Sequence, residues 1–156
     1  MDDFDYMRAA LALAQEAARN GEVPVGAVVV RDSDGEILGR GYNRRVLDSD
    51  PTAHAELLAI TEAARAHGSW RLHGCTLYVT LEPCPMCAGA IINARLSRVV
   101  FGAYDKRAGS VCSVQSMFSL PYNHKPVFTG GLLEDACSAV LRDFFSSLRR
   151  RSQQGR

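Results

Sequence analysis

Two short motifs in this chain carry side chains that can ligate a metal ion and move a proton. His54 and Glu56 flank Ala55, and further along Cys84 and Cys87 flank Pro85-Met86. Zinc takes four tetrahedral ligands, so one imidazole and two thiolates leave a position for water, the catalytic rather than the structural arrangement. A carboxylate beside the ligand histidine is the group to which such a water can pass its proton. Cys-x-x-Cys alone would read as a redox pair or half of a structural zinc knuckle. The His-x-Glu half changes that balance, because each half-motif occurs once and in this order. A structural site would need a fourth protein ligand from His67, His73 or His124, none of which has a finger-like spacing.

These residues must be delivered by elements of matching geometry. Positions two apart in a helix interior lie roughly 200° apart around its axis, so His54 and Glu56 can converge only at a helix tip. Asp50-Pro51 predicts that tip, since Asp caps helices and Pro suits the first helical position. The helix predicted from there carries Leu57, Leu58, Ile60 and Ala64, and stops at Ala66-His67-Gly68. Cys75 to Leu81 is rich in strand formers and is broken by Glu82-Pro83-Cys84-Pro85. Pro85 suits the first turn of a helix through Met86 to Ile92, which puts Cys84 and Cys87 on one face. Free N–H groups at that helix start favour thiolates and a developing oxyanion. Arg98 to Gly102 reads as the next strand, parallel to Cys75 to Leu81 by a right-handed crossover.

The rest of the chain supplies the frame. Phe4, Met7, Ala10, Leu11, Ala14, Ala17 and Ala18 form an amphipathic stripe that ends at Asn20-Gly21. Gly26 to Val30 and Ile37 to Tyr42 read as a hairpin around Asp32-Ser33-Asp34-Gly35. Tyr104 to His124 has no clear period and is expected to be mostly loop with short helical pieces, and Val127 to Thr129 is a fifth strand. The last helix has the cleanest period: Leu133, Ala136, Cys137, Val140, Leu141, Phe144, Phe145 and Leu148. Residues 149–156 are expected to form a flexible basic tail.

Length and composition bound the function classes. A chain of 156 residues fits one domain with a real core, here residues 1–156. Lys plus Arg number 18 against 17 Asp plus Glu, so the net charge of +1 gives no global attraction to nucleic acid or membrane, and any basic patch is local. The N-terminus lacks a signal-like apolar region and no apolar run reaches bilayer length, which points to a cytoplasmic protein without a membrane span. Five cysteines, two of them in Cys-x-x-Cys, fit metal binding in a reducing compartment; Cys75, Cys112 and Cys137 are expected as buried free thiols.

Elsewhere the plain structural readings lead. Phe144 and Phe145 fit core packing better than base stacking, and Arg149 to Arg151 fit a solvated helix end. Asn43 reads as a turn cap, Trp70 as a packing anchor and Met86 as core filler.

Several longer stretches point further: Glu22 to Ala27, Pro51 to Glu56, Leu77 to Cys84, Met86 to Ala90, Arg98 to Gly102, Asn123-His124 and Asp143 to Phe145. Together with the order H-x-E…P-C-x-x-C, a pattern of zinc nucleobase deaminases, they resemble the bacterial tRNA adenosine deaminases of the cytidine-deaminase superfamily. The resemblance covers most of the chain. It implies an α/β fold of three layers, α/β/α, with a five-stranded mixed sheet, a homodimer, and conversion of adenosine to inosine at the tRNA wobble position. It further implies one zinc per subunit on His54, Cys84 and Cys87, with Glu56 as proton shuttle. By the same resemblance Asn43 and Ala55 bind the flipped base, while Asp105, Asn123, His124 and Phe145 border the RNA. Two places depart from the family pattern: Pro85, where a small aliphatic is usual, and Ser110-Val111-Cys112-Ser113-Val114.

The reading favoured is thus a zinc hydrolase acting on adenosine in a tRNA anticodon stem-loop. Its rivals are a deaminase of free nucleosides or of cytosine or guanine, and a catalytically silent zinc subunit that only binds RNA. Glu56 argues against the silent subunit, which would not need a proton shuttle.

Overall fold

A computed structural model describes residues 1–154. Its elements follow in the order α1 (Asp3–Arg19), β1 (Gly26–Arg31), β2 (Ile37–Tyr42), α2 (Ala55–His67), β3 (Cys75–Leu81), α3 (Pro85–Asn93), β4 (Arg98–Ala103), β5 (Val127–Thr129) and α4 (Glu134–Gln154). The strands form one five-stranded sheet in the order β2-β1-β3-β4-β5. β1 runs antiparallel to both β2 and β3, whereas β3, β4 and β5 are parallel. The expected mixed sheet and the crossover through α3 are therefore present.

Strand alternation divides the core into two layers. Ala27, Val29, Leu77, Val79, Val99 and Phe101 face one side, where they meet Ala55, Ala59 and Ala63 of α2 and Ala88, Ile91 and Ile92 of α3. Val28, Val30, Tyr78 and Val100 face the other, against Tyr6, Met7 and Ala10 of α1 and Cys137 of α4. Each fully buried Val, Leu, Ile or Phe contributes about 1.5–3 kcal/mol. Small residues set how closely the helices approach. A Cβ on Gly41 of β2 would meet the backbone of α2 at Ala59 N and Cβ of Leu58 at 2.9 Å, so the absence of one lets α2 lie flat on the sheet.

Several expectations change. Residues 149–154 continue α4 instead of forming a flexible tail, while 155–156 lie outside the described residues. The helix also runs past the sheet: of its apolar stripe only Cys137 is buried, and Phe145 and Leu148 are exposed. Periodicity marked an apolar stripe, but burial singles out Cys137, which packs against the sheet, and leaves Ala136 exposed as well. Trp70 is exposed, with the Arg71 and Arg95 guanidinium carbons 4.5 and 5.8 Å from its ring centroid, so it is a cation–π platform and not a packing anchor. Met86 is likewise exposed. Cys75 and Cys137 are buried free thiols as expected, but Cys112 is only half-buried. Among the described residues no helix is long and apolar enough to cross a membrane.

Candidate active site

The His-x-Glu motif sits at the first residues of α2. His54 is the N-cap, with extended φ −84° and ψ 148°, and its carbonyl accepts the Leu58 N–H at 3.1 Å. Being outside the helical spiral, His54 can face the same point as Glu56. The helix starts later than Asp50-Pro51 predicts. Asp50 instead closes a turn, its Oδ1 accepting from Thr52 N at 2.8 Å and Thr52 Oγ1 at 2.7 Å. The helix tip is capped from elsewhere in the chain: Ala55 N–H donates to Asn43 Oδ1 at 2.9 Å.

The cysteines arrive by the same construction. Cys84 is the N-cap of α3, Pro85 occupies the first helical position, and Cys87 lies one turn in, fully buried. Two helix N-termini thus point their first turns at one spot. His54 Nδ1 lies 3.7 Å from Cys84 Sγ and 3.5 Å from Cys87 Sγ, and all three ligand atoms fall within 4.8 Å of one another. A tetrahedral zinc with bonds of about 2.0–2.3 Å has ligand–ligand edges of roughly 3.4–3.8 Å. The donor set and spacing therefore fit a three-ligand metal centre. His67, His73 and His124 do not join it; among the described residues the converging group is His54, Cys84 and Cys87.

Electrostatics at this spot suit ligation and proton transfer. The Cys84 thiol is brought down to about 4, chiefly by its hydrogen bond with Cys87 and then by His54. Cys87 moves up as the partner that keeps the shared proton. His54 is raised, first by its hydrogen bond with Cys84. Glu56 is only 4% exposed, and burial pushes its carboxyl above the usual carboxylate range, the direction that suits a proton carrier.

Above this floor opens a cavity of about 870 Å³. Its lining brings together His54, Glu56 and Cys84 with Asn43, Asp105 and Phe145. Arg45, Lys106, Arg107, Arg142 and Arg149 ring it with positive charge, so the local basic patch exists on a chain of nearly zero net charge. Leu141, Phe145 and Arg149 stand at four-residue intervals on the overshooting end of α4. Phe145 thus belongs to the cavity wall rather than the core, and the exposed Arg149 lines the same cavity.

The other candidate residues fall into different places. Asn43 is 5% exposed and engaged at both ends, with Nδ2 donating to the Val23 carbonyl at 3.1 Å, so it braces the start of α2 besides facing the cavity. Ala55 is buried and its N–H is the one Asn43 holds. Asp105 turns its carboxylate inward, accepting from the N–H groups of Arg107 and Ala108, and so shapes the loop that carries Lys106 and Arg107. Asn123 and His124 do not line the cavity; the His124 ring is tied by Nε2 to the Leu96 carbonyl at 2.6 Å. Sequence reasoning missed Glu22 and Glu82, both 1% exposed, and the rim residues Arg45, Lys106, Arg107 and Arg142. Glu82 stands two residues before Cys84, at the strand break, and that position was its one visible signal.

Known proteins agree with this geometry. Residues 1–149 match the family described as MafB19-like deaminase. The chain is 45% identical over 152 residues to a tRNA-specific adenosine deaminase of Bacillus subtilis, covering 97% of this chain and 93% of that protein. It is similar, with a TM-score of 0.84 and 44% identity, to a solved structure from studies of A-to-I editing by tRNA:A34 deaminases, over 88% of this chain and 99% of that one. A guanine deaminase from Nitrosomonas europaea is more distant, with a TM-score of 0.77 and 27% identity over 92% of this chain and 84% of that one. The chain belongs to the MafB19-like deaminase family, and within it to the tRNA-specific adenosine deaminases.

Proposed function

We propose that this protein deaminates adenosine to inosine at the wobble position of a tRNA anticodon loop, with one zinc ion held by His54, Cys84 and Cys87. The observation that carries the reading is the convergence of that ligand set with buried Glu56 under a cavity ringed by five cationic side chains. Zinc, when bound in such a set, supplies acidified water as the nucleophile. Glu56, buried with its carboxyl raised, would take one proton from the attacking water and give it to the purine ring nitrogen, then carry the remaining hydroxyl proton to the departing amine, which leaves as ammonia. Asn43 and Ala55 lie where a flipped base would meet the start of α2, and the Phe145 ring offers a stacking face beside it. The cationic rim binds the phosphates on either side of the extruded nucleotide. Bases in a hairpin loop are already partly unstacked, which lowers the cost of extrusion. Asn123 and His124, away from this cavity, would meet RNA only outside it.

A homodimer and a cytoplasmic location belong to the same reading. The first is supported by the exposed apolar side chains Leu120, Tyr122, Val127 and Phe128 in and before the edge strand β5, the second by the substrate itself. Sedimentation would show the dimer. The decisive experiment compares inosine formation in an adenosine-bearing anticodon stem-loop, its unstructured counterpart and free adenosine, alongside guanine and cytidine. Strong preference for the folded loop is expected. Efficient turnover of guanine with an inert stem-loop would instead place this chain with the guanine deaminase it also resembles.

A further inference from the structure

Two buried carboxylates outside the reaction centre hold the two loops that wall the cavity. Glu82, at the end of β3, accepts five hydrogen bonds from the segment after β4. Its Oε1 takes the Asp105 N–H at 3.1 Å and the Ser113 hydroxyl, while Oε2 takes the N–H groups of Val111, Cys112 and Ser113 at 3.2, 2.8 and 2.9 Å. The loop closes tightly around it, because a Cβ on Gly109 would collide with the Glu82 carboxylate and the Asp105 carbonyl. On the opposite wall Glu22 performs a smaller version of the same task. Its Oε2 accepts the Val46 and Leu47 N–H groups at 3.0 and 2.7 Å, and its Oε1 shares the Val46 N–H at 3.2 Å, beside Arg45. Among the described residues neither carboxylate forms a salt bridge; backbone N–H groups satisfy Glu22, and backbone N–H groups with the Ser113 hydroxyl satisfy Glu82. A buried carboxylate that gathers several loop N–H groups on its two oxygens organises those loops, because leaving any of these donors unpaired is costly.

We infer that Glu82 is a positioning residue for substrate: its carboxylate winds residues 105–113 into the wall that presents Lys106 and Arg107 to the RNA, with Glu22 as the lesser anchor for Arg45. The inference rests on the proposed RNA substrate for its kinetic consequence, though not for the loop itself. The two glutamates differ in a testable way. Glutamine at position 22 can keep both main-chain bonds with a single oxygen. Glutamine at position 82 cannot: with its oxygen at the three-donor side, its amide N–H group faces the Asp105 N–H, donor against donor.

The test compares Glu82→Gln, Glu82→Ala, Glu22→Gln and Glu22→Ala in the full-length, metal-loaded protein. Amide hydrogen exchange is expected to rise at Asp105 in Glu82→Gln and across 105–113 in Glu82→Ala, while 44–48 loosens only in Glu22→Ala. On the anticodon stem-loop, KM for Glu82→Gln should rise about tenfold with kcat within about threefold of wild type and metal content unchanged. Glu22→Gln, in which one oxygen still serves both N–H groups, should raise KM less than Glu22→Ala does. Unchanged exchange at Asp105 in Glu82→Gln overturns the anchor. Loosened exchange with an unchanged KM overturns its role in binding, and a joint fall of metal content and kcat makes Glu82 part of the general fold. If the wild-type chain leaves the stem-loop untouched, the substrate reading fails, and the exchange measurement still decides the anchor.

Discussion

The floor and the rim of the cavity are built by different means. On the floor, His54 and Cys84 are N-caps, Glu56 and Cys87 lie in the first turns behind them, and both helices rest on the sheet through Ala59, Ala63, Ala88 and Ile91. The rim is made of loops hung on Glu22 and Glu82 and of the end of α4 that has left the sheet. Ligation and proton transfer tolerate little displacement, and regular elements give that precision. A rim that must admit a polynucleotide needs adjustable loops, which sit at the lower end of local stability. Substitutions on the floor should therefore remove chemistry, while substitutions on the rim should change affinity and leave chemistry standing.

The largest effect is expected from Glu56→Ala. Removing a general acid–base group lowers turnover by about 10²–10⁴-fold, and zinc content and RNA affinity should stay near wild type, because the residue holds neither. Near-normal turnover would remove Glu56 from the proton path, whereas parallel loss of metal would make it a ligand. Cys84→Ser and Cys87→Ser come next. Hydroxyl oxygen is a poor substitute for thiolate, and loss of a direct ligand should exceed the roughly 10–100-fold weakening that outer partners cause. Metal content after dialysis against a chelator measures it, and full retention by both variants would contradict the ligand assignment.

The same contrast explains what the sequence could disclose. Floor residues were legible because metal chemistry restricts both residue type and spacing, and because Pro85 and the strand formers of Cys75 to Leu81 fix where the cysteine helix begins. α2 starts four residues later than Asp50-Pro51 predicts: its N-cap is His54, and its first N–H is held by Asn43, a partner distant in sequence that no local signal announces. The rim was legible only in part. Its arginines look like ordinary surface charge until the fold gathers Arg45, Arg107 and Arg142 from three separate segments. The periodic stripe of α4 marked an apolar face, yet could not tell that only Cys137 on it is buried.

Rim substitutions sharpen the comparison from the other side. Arg142→Ala and Arg149→Ala should each raise KM for the stem-loop several-fold, with kcat near wild type. Each should also reduce the slope of log affinity against log salt by about 0.7–0.9, the loss of one phosphate contact. Equal slopes in wild type and variants would leave these arginines as solvated charge. Arg150, absent from the cavity lining, is the internal control and should change neither quantity.

The smallest effect lies outside both regions, where the N-terminal helix is tied to the sheet. Asp3 accepts from Tyr78 Oη at 2.5 Å and from the Arg98 guanidinium at 2.8 and 3.2 Å. Its carboxyl is held below the ordinary range, first by the Arg98 hydrogen bond and then by Tyr78. Both ion-pair partners are about a third exposed, at 33% and 39%, so solvent screening reduces the pair's value, and Asp3→Asn should cost about 1 kcal/mol at neutral pH. The folded carboxyl binds its proton less readily than the unfolded one, so its stabilisation is complete above the unfolded value of roughly 3.9 and fades as pH falls through the lower folded value. Urea unfolding of both proteins at neutral pH and near pH 3 measures the difference, which should shrink in acid. Turnover should be unaffected at neutral pH, since neither Asp3 nor Arg98 lines the cavity. A gap that persists unchanged in acid would show that Asp3 stabilises α1 through its shape or its place in the first helical turn, and not through its charge.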